Sequence, residues 1–218
     1  MLLSVILGAF VVLNTLYISR INNRVEQISE KVLVKSDSYH RLKTELKDEK
    51  KKLSFMAHVV DIKNILDLYN AQTGEYSTMD FAYLIAKESF ENKMDPFLVL
   101  AVIMTESSFR DAVVSNKGAI GLMQIQPDTA MYVSEMHEHI ELTDFQKLFD
   151  PDTNIIIGIN YLSYLIDRFE NMKYALIAYN MGPTNLIRRL SSGEAPPERY
   201  YRNVMRHYKQ IVSLSGRV

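Results

Sequence analysis

The chain has 218 residues, 47% of them hydrophobic, which is enough for one folded domain with additional segments and excludes a disordered protein. It contains no cysteine, which excludes disulfides and thiolate metal sites. The net charge of −1 divides into +4 for residues 19–54 (10 Lys/Arg, 6 Asp/Glu) and −5 for residues 55–218 (15 Lys/Arg, 20 Asp/Glu), and a weakly acidic domain argues against nucleic acid as a partner.

The first predicted element is a hydrophobic segment over residues 1–18. It has no charged side chain, and as a helix it would extend about 27 Å at about 1.5 Å per residue, which suits a single membrane span. A cleaved signal peptide is the alternative, but a positively charged start and a small-residue cleavage site are missing. We therefore predict a transmembrane anchor, although Arg20 and Arg24 would favour a cytoplasmic location for the rest of the chain.

A heptad pattern follows over residues 19–54. A 3.5-residue period held for more than four heptads predicts a coiled coil or a helical stalk, and a homodimer through residues 21–53 is one expected form. The alternative is a solvated helix that packs on its own domain, which the polar Lys35 and Glu49 in the seam leave open. The apolar members of the seam are Ile21, Val25, Ile28, Val32, Tyr39, Leu42, Leu46 and Leu53.

The third predicted unit is a helical domain over residues 55–218. Helices are predicted over residues 55–69 and 79–93, on either side of a glycine-containing turn. Asp95 is a good N-cap and Pro96 suits a first helical turn, so the next helix should begin at Pro96. The apolar run that follows leaves no polar face for solvent, which predicts the central helix of the domain.

Glu106 is the first ionisable side chain after this apolar run. It lies at the end of the predicted helix, where the helix dipole disfavours a further negative charge. Apolar neighbours act in the same direction, because desolvation favours the neutral acid. A raised pKa would leave Glu106 protonated near neutral pH, as a general acid must be.

The rest of the chain continues the helical pattern. Asp150 and Pro151 repeat the cap device ahead of a broadly apolar helix, in which Gly158 indicates close packing on a neighbour. Helices are also predicted over residues 174–181 and 197–214, and no useful run has the period of a strand. The predicted fold class is therefore mainly α.

Two histidines, His137 and His139, are the one candidate for a metal site. Their i, i+2 spacing does not place them on the same helix face, so a mixed polar surface is the better interpretation. A glycine-rich loop over residues 118–121 lacks both phosphate-binding patterns, which argues against a nucleotide site.

Three blocks of sequence follow one another along the predicted domain. They are Glu106-Ser107-Ser108-Phe109, then Ser115 ahead of the run GAIGLMQIQPDTA at residues 118–130, and Ala178-Tyr179-Asn180, with a late Arg-x-Tyr element at Arg199 and Tyr201. These blocks resemble the lytic transglycosylases of the soluble, goose-lysozyme-like family, which cleave the glycan strands of bacterial peptidoglycan. The resemblance covers about residues 79–210 and implies a catalytic domain of the lysozyme-like superfamily.

The resemblance also implies roles for individual residues. Glu106 matches the single catalytic acid of the family, and the other matched positions contact the sugar or form the cleft wall. In two places the chain departs from the family pattern, with Gln126 where many relatives have Met and Pro197 where Glu is frequent. The implied substrate-binding residues are Ser115, Met123, Gln124, Tyr179, Asn180 and Tyr201.

The implied reaction needs one carboxyl and no metal or cofactor. Glu106 would protonate the glycosidic oxygen between N-acetylmuramic acid and N-acetylglucosamine, with help from the substrate's own N-acetyl group. The resulting carboxylate would take the proton of the C6 hydroxyl, which closes a 1,6-anhydro ring. Because peptidoglycan lies outside the cell, the resemblance implies an inner-membrane anchor facing the periplasm or the cell-wall side, or export if the N-terminus is cleaved.

Two alternatives remain at this point. A goose-type lysozyme would hydrolyse the same bond and would need a second carboxylate to hold a water, for which Asp111 and Asp128 are the nearest candidates in sequence. A glycan-binding scaffold without activity would keep the fold and lose the chemistry. Glu106, Gln124 and Tyr179 are all present, which argues against the scaffold.

Overall fold

The computed structural model describes residues 2–137 and 140–216, without the side chains of residues 2–5, 7, 9 and 11. The chain divides into two compact units, Met1–Ser54 and Phe55–Val218. Within the described ranges the regular structure is helical, and pairing between extended residues is limited to isolated bridges, so the predicted mainly α class is confirmed. The helices are α1 (Leu2–Leu68), α2 (Thr78–Glu91), α3 (Pro96–Glu106), α4 (Pro127–Met136), a short 3-10 helix (Phe145–Phe149), α5 (Pro151–Phe169), α6 (Met172–Met181), α7 (Pro183–Ser191) and α8 (Arg199–Leu214).

Helix α1 covers three segments that the sequence predicts separately. The apolar heptad positions of the Met1–Ser54 unit are all exposed, from Ile21 at 42% to Leu53 at 69%, so this unit holds no core that buries them. Over the ranges that the structure describes, none of the helices has the length and apolar character needed to cross a membrane. The membrane span predicted for residues 1–18 is therefore not confirmed, and Met1 lies outside the described residues.

Helix α3 is the centre of the Phe55–Val218 unit, as the apolar run predicts. The Asp95 carboxylate accepts a hydrogen bond from the Phe97 N–H at 2.9 Å, and the helix begins at Pro96. Every side chain from Pro96 to Ile103 is buried, and burial of a large apolar side chain contributes roughly 1.5–3 kcal/mol. Helix α8 packs on α3, so the end of α3 faces the first turns of α8.

The predicted start of α5 is also confirmed. The Asp150 carboxylate accepts from the Thr153 N–H at 3.0 Å, and Pro151 is the first helical residue. This cap fixes where α5 begins and hence which of its polar side chains face the loop that follows α3.

The C-terminal part of the fold differs from the prediction in two places. Helix α6 ends at Met181, as predicted, but Pro183 then opens a further helix, α7, because the first helical position needs no N–H donor. Gly182 has a φ of 85°, which permits the sharp change of direction between the two helices. Helix α8 begins at Arg199, and not at Pro197.

Candidate active site

Glu106 is the last residue of α3 and lines two neighbouring cavities. The first, here called the α8 cavity, has a volume of about 450 Å³. The second, the loop cavity, has a volume of about 390 Å³. Glu106 and Asn180 line both cavities, which together form a cleft. The other residues of the α8 cavity are Thr105, Pro197, Arg199, Tyr200 and Asn203, and those of the loop cavity are Ser115, Asn116, Lys117, Ala119, Gln124, Gln126 and Tyr179.

The Glu106 carboxyl has a raised pKa, so a substantial fraction of it carries a proton near neutral pH. Burial at the end of the apolar helix raises its pKa to about 7, and a hydrogen bond from the Tyr200 hydroxyl partly offsets this increase. The Tyr200 Oη lies 2.5 Å from Glu106 Oε1. The predicted rise in pKa is confirmed, and desolvation is its main cause.

Tyr200 is the partner of Glu106 that the motif comparison missed, because the late Arg-x-Tyr element points to Tyr201. The helical periodicity of α8 does point to Tyr200. Tyr200, Val204 and Ile211 follow intervals of four and seven along α8, and Val204 and Ile211 are buried against the core. Tyr201 lies beside this face, partly buried, and lines neither cavity.

The loop between α3 and α4 is held by main-chain and amide hydrogen bonds. The Ser115 hydroxyl accepts from the Ala119 N–H at 3.0 Å and from the Lys117 N–H at 3.3 Å. The Gln124 amide donates to the carbonyls of Val113 and Gly121, each at 3.0 Å. These bonds fix both side chains in the loop cavity. They use the Ser115 oxygen as an acceptor and the Gln124 amide nitrogen as a donor, so the Ser115 hydroxyl proton and the Gln124 amide oxygen remain available to a sugar.

Asn154 of α5 also fixes this loop, although no motif in the sequence points to it. It is completely buried, accepts from the Met123 N–H at 2.8 Å and donates to the carbonyls of Ile120 and Leu148 at 2.9 and 2.8 Å. A β-carbon at Gly121 would lie 2.3 Å from the Asn154 amide nitrogen. Gly121 also has a φ of 79°, so its identity is required both by space and by conformation.

Tyr179 ties α6 to this loop. Its hydroxyl donates to the Met123 carbonyl at 2.8 Å, and burial raises its pKa well above the usual range, with a further contribution from the nearby Glu106 charge. The ring lines the loop cavity, where it faces the same space as Gln124. Asn180, the next residue, is exposed and lies where the two cavities meet.

The structure therefore brings most of the predicted site residues together, but not all. Ser115, Gln124, Tyr179 and Asn180 share the loop cavity with Glu106. The Met123 side chain has no exposed surface, because it fills the space left by Gly158 of α5, where a β-carbon would lie 2.3 Å from its Sδ. The close packing predicted at Gly158 is confirmed, and Met123 contributes its main chain to the site and not its side chain.

Among the described residues, Glu106 is the one carboxyl that lines either cavity. Asp111 and Asp128, the candidates for a second carboxylate, line neither of them. His139, the second histidine of the candidate metal pair, lies outside the described residues. Within the described residues, the cleft thus offers one carboxylic acid of near-neutral pKa, surrounded by amides, hydroxyls and an aromatic ring. Such an arrangement suits general acid catalysis on the glycosidic bond of a neutral sugar.

Comparison with known proteins agrees with this arrangement. Residues 83–201 match the family described as transglycosylase SLT domain. The membrane-bound lytic murein transglycosylase E of Buchnera aphidicola is 35% identical over 116 residues, which is 50% of this chain and 52% of that protein. The soluble lytic murein transglycosylase of Escherichia coli is 40% identical over 85 residues, 38% of this chain and 13% of that protein.

A solved structure is similar at the level of the fold. The crystal structure of the 70 kDa soluble lytic transglycosylase from Escherichia coli matches with a TM-score of 0.56 and 24% sequence identity, over 64% of this chain and 27% of that one. The chain spans about half of the first of these curated relatives, and a smaller share of the Escherichia coli relative and of the solved structure.

Proposed function

The chain belongs to the transglycosylase SLT domain family, and on that premise we propose that it is a peptidoglycan lytic transglycosylase in which Glu106 is both the acid and the base. The observation that carries this proposal is that, of the carboxyls that the structure describes, Glu106 alone lines the cleft, with its pKa raised to about 7. The relatives named lytic murein transglycosylases support the substrate class.

The first step of the proposed reaction is a proton transfer. Glu106 gives its proton to the glycosidic oxygen between N-acetylmuramic acid and N-acetylglucosamine, and the bond from that oxygen to C1 of the muramic acid breaks. N-Acetylglucosamine leaves with a free 4-hydroxyl. The N-acetyl oxygen of the substrate stabilises the positive charge at C1, as in other substrate-assisted glycosidases.

The second step uses the carboxylate that the first step creates. Glu106 takes the proton of the C6 hydroxyl, and the C6 oxygen bonds to C1 to give 1,6-anhydromuramic acid. Each proton that Glu106 gives is therefore returned, and no water is consumed. We assign Ser115, Gln124, Tyr179 and Asn180 to the sugar beside the scissile bond, because they share the loop cavity with the acid.

Hydrolysis of the same bond is the second candidate. A lysozyme of this fold would need a second carboxylate beside the attacking water, and none of the described carboxyls other than Glu106 lines the cleft. This arrangement favours transglycosylation over hydrolysis.

Mass spectrometry of the products tests the proposal and separates the alternatives. The full chain incubated with purified peptidoglycan should release 1,6-anhydromuropeptides, about 18 mass units lighter than hydrolytic products because no water is added. The Glu106→Gln variant should release none, since loss of a group that acts as both acid and base costs about 10⁴-fold or more. Reducing-end products would assign the chain to the lysozymes. Equal inactivity of both proteins, with glycan binding retained, would assign it to the scaffolds.

We also propose a periplasmic, membrane-associated location, which the relatives named membrane-bound lytic murein transglycosylases support. The transmembrane anchor at residues 1–18 and the homodimer through residues 21–53 stay predictions. The exposed heptad face supports self-association, because apolar side chains in water favour a partner. Carbonate extraction of membranes tests the anchor, and analytical ultracentrifugation of the full chain in detergent tests the dimer; a fully extracted chain or a monomer would contradict them.

A further inference from the structure

The turn that follows Glu106 contains two strained residues in succession. Ser108 has a φ of 53° and Phe109 a φ of 61°. This left-handed region favours glycine, and a residue with a β-carbon adopts it at a cost in free energy. Phe109 is nevertheless only 1% exposed. Contacts from outside the turn must therefore compensate for the strain.

The turn is bonded directly to the end of α3. The Ser107 N–H donates to the Ile103 carbonyl at 3.0 Å, and its hydroxyl donates to the same oxygen at 3.2 Å. The Ser107 carbonyl in turn accepts from the N–H and the Nε of Arg110, at 3.3 and 3.0 Å. Ser107 is also the neighbour of Glu106 in the chain, so a shift of the turn would move the residue that carries the acid.

Tyr69 supports this turn from another part of the fold. It directly follows α1, and its ring stacks on Phe109 with the ring centroids 5.4 Å apart and an angle of 24° between the planes. Its hydroxyl oxygen accepts from the Gln210 amide of α8 at 2.9 Å. Tyr69 thus joins the turn to the same helix that carries Tyr200, the hydrogen-bond partner of Glu106.

The main chain of Phe109 is held by the same segment as its ring. The Gln72 N–H donates to the Phe109 carbonyl at 2.9 Å, and the Gln72 amide oxygen accepts from the Asp111 N–H at 3.3 Å. Residues 69–72, here called the connector, therefore fix Phe109 at both its ring and its carbonyl. The connector lies outside residues 83–201, which match the family, and it lines neither cavity of the cleft.

We propose that Tyr69 is a positioning residue for Glu106, which acts by holding Phe109 and with it the strained turn. Loss of the Tyr69 ring would let Ser108 and Phe109 relax to ordinary φ values. The end of α3 would then shift, water would reach the Glu106 carboxyl, and the acid would no longer be aligned with the glycosidic oxygen. The kinetic part of this inference rests on the proposed function, whereas the effect on the protonation of Glu106 does not.

Tyr69→Ala in the full chain tests the proposal by two measurements. In a ¹³C NMR titration of the glutamate carboxyls, the pKa of Glu106 should fall from about 7 toward 4.5, because burial is the main cause of the rise. On peptidoglycan, kcat should fall about 10- to 100-fold with a smaller change in KM, since a misplaced acid slows the chemical step.

The pH profile of the same variant gives a third reading. A lower pKa means that Glu106 loses its proton at lower pH, so the alkaline fall of kcat/KM should move to lower pH. This reading is specific because the substitution leaves in place the titratable and charged residues that face the carboxyl. They are Tyr179 of α6, Tyr200 and Arg199 of α8, and Lys117 of the loop.

Two further variants separate the ring from the strain. Tyr69→Phe keeps the stack and loses the bond to Gln210, so Glu106 should still titrate near pH 7 and most of the activity should remain. Ser108→Gly added to Tyr69→Ala should restore both kcat and the pKa, because glycine adopts the left-handed conformation without cost. A double variant that behaves like Tyr69→Ala would overturn the role of the strained turn.

Phe55→Ala is the matched control. Phe55 is also a partly buried aromatic residue beside the core, with ring contacts to Tyr83 at 5.4 Å and to Phe90 at 5.7 Å, and it lines neither cavity. The control should lower the free energy of unfolding and leave the titration of Glu106 and the pH profile unchanged. Equal shifts in both variants would mean that Tyr69 acts through overall stability, which overturns the proposal. If Tyr69→Ala does not fold, Tyr69→Leu, which keeps an apolar side chain without a flat ring, should show the same shifts.

The NMR titration needs no substrate and so keeps this inference separate from the proposed function. An unchanged titration of Glu106 in a folded Tyr69 variant, with anhydromuropeptides still released by the unchanged protein, would overturn the positioning role and leave the transglycosylase proposal intact. A shifted titration in a chain that cleaves no peptidoglycan would support the positioning role and count against the proposed function.

Discussion

The two walls of the cleft are built on different principles. The loop wall, residues 115–126, is held by hydrogen bonds to its own main chain and by the buried amide of Asn154. The helix wall, formed by the first turns of α8, is held by apolar side chains such as Val204 and Ile211 packed on the core. Glu106 lies between the two walls: burial in the core lowers its solvation, and Tyr200 of the helix wall bonds to it.

This difference predicts opposite kinds of sensitivity. A loop held by few buried polar bonds should respond strongly to the loss of one of them, because an unpaired buried group costs free energy. A helix held by many apolar contacts should keep its stability when one polar group is lost. The loss of such a group beside Glu106 should instead change the pKa of that acid.

The largest expected effect is therefore at Asn154. Its replacement by Ala leaves the Met123 N–H and the Leu148 carbonyl without their partner, which should lower the free energy of unfolding by about 2 to 5 kcal/mol. Cleavage should fall with it, because the loop wall loses its support. Urea unfolding at pH 7 measures the first effect and product release the second.

Asn160 provides the control for this variant. It lies on the same helix, is 5% exposed, and within the described part of the chain its amide donates to one group, the carbonyl of Ile156 one turn earlier. Asn160→Ala should be clearly less destabilised than Asn154→Ala. Equal losses would show that the cost arises within α5 and that the loop wall does not depend on Asn154.

The second expected effect concerns the cost of keeping Glu106 buried. Its pKa rises from 4.5 in the unfolded chain to about 7 in the folded protein. Between these two pH values Glu106 is ionised in the unfolded chain but largely protonated in the folded protein, so the free energy of unfolding falls as pH rises from 4.5 to 7. This shift corresponds to about 3 kcal/mol. The free energy of unfolding of Glu106→Gln relative to the unchanged protein should therefore increase by up to that amount between pH 4 and pH 8. A difference independent of pH would mean that burial does not perturb Glu106.

The smallest expected effect is at Tyr200. Loss of the hydroxyl in Tyr200→Phe removes a hydrogen bond worth about 2- to 13-fold in rate. Because that bond lowers the pKa of Glu106, its loss should raise the pKa further and move the alkaline fall of kcat/KM to higher pH. Tyr208→Phe, which loses a hydrogen bond to Asp95 farther along α8, should leave the pH profile unchanged. Identical profiles for both variants would remove Tyr200 from the site.

The same contrast explains what could be predicted from the sequence. Helix α3 and Glu106 were predictable because a local cap at Asp95 and an unbroken apolar run specify them without reference to the rest of the chain. The loop residues Ser115 and Gln124 were predictable from the family motif alone. For the three segments covered by α1, no local signal distinguished one helix from several.

Other features depend on tertiary partners and could not be predicted in that way. Asn154 is one polar residue in an apolar helix, and its importance follows from three main-chain groups distant in sequence. Met123 matches the motif, but the space at Gly158 takes its side chain away from the cleft. Tyr200 was missed because the motif points to Tyr201, although the period of α8 places Tyr200 on the packed face.

The proposed reaction depends on one buried carboxyl, Glu106, that is partly protonated at neutral pH and can both give a proton and take one back. An NMR titration of the full chain labelled with ¹³C at the glutamate side-chain carboxyls tests it directly, with Glu106→Gln identifying the resonance. We expect Glu106 to titrate near pH 7, well separated from the other glutamates. A midpoint near the ordinary value of 4.5 would leave Glu106 ionised at neutral pH and contradict its role as the acid.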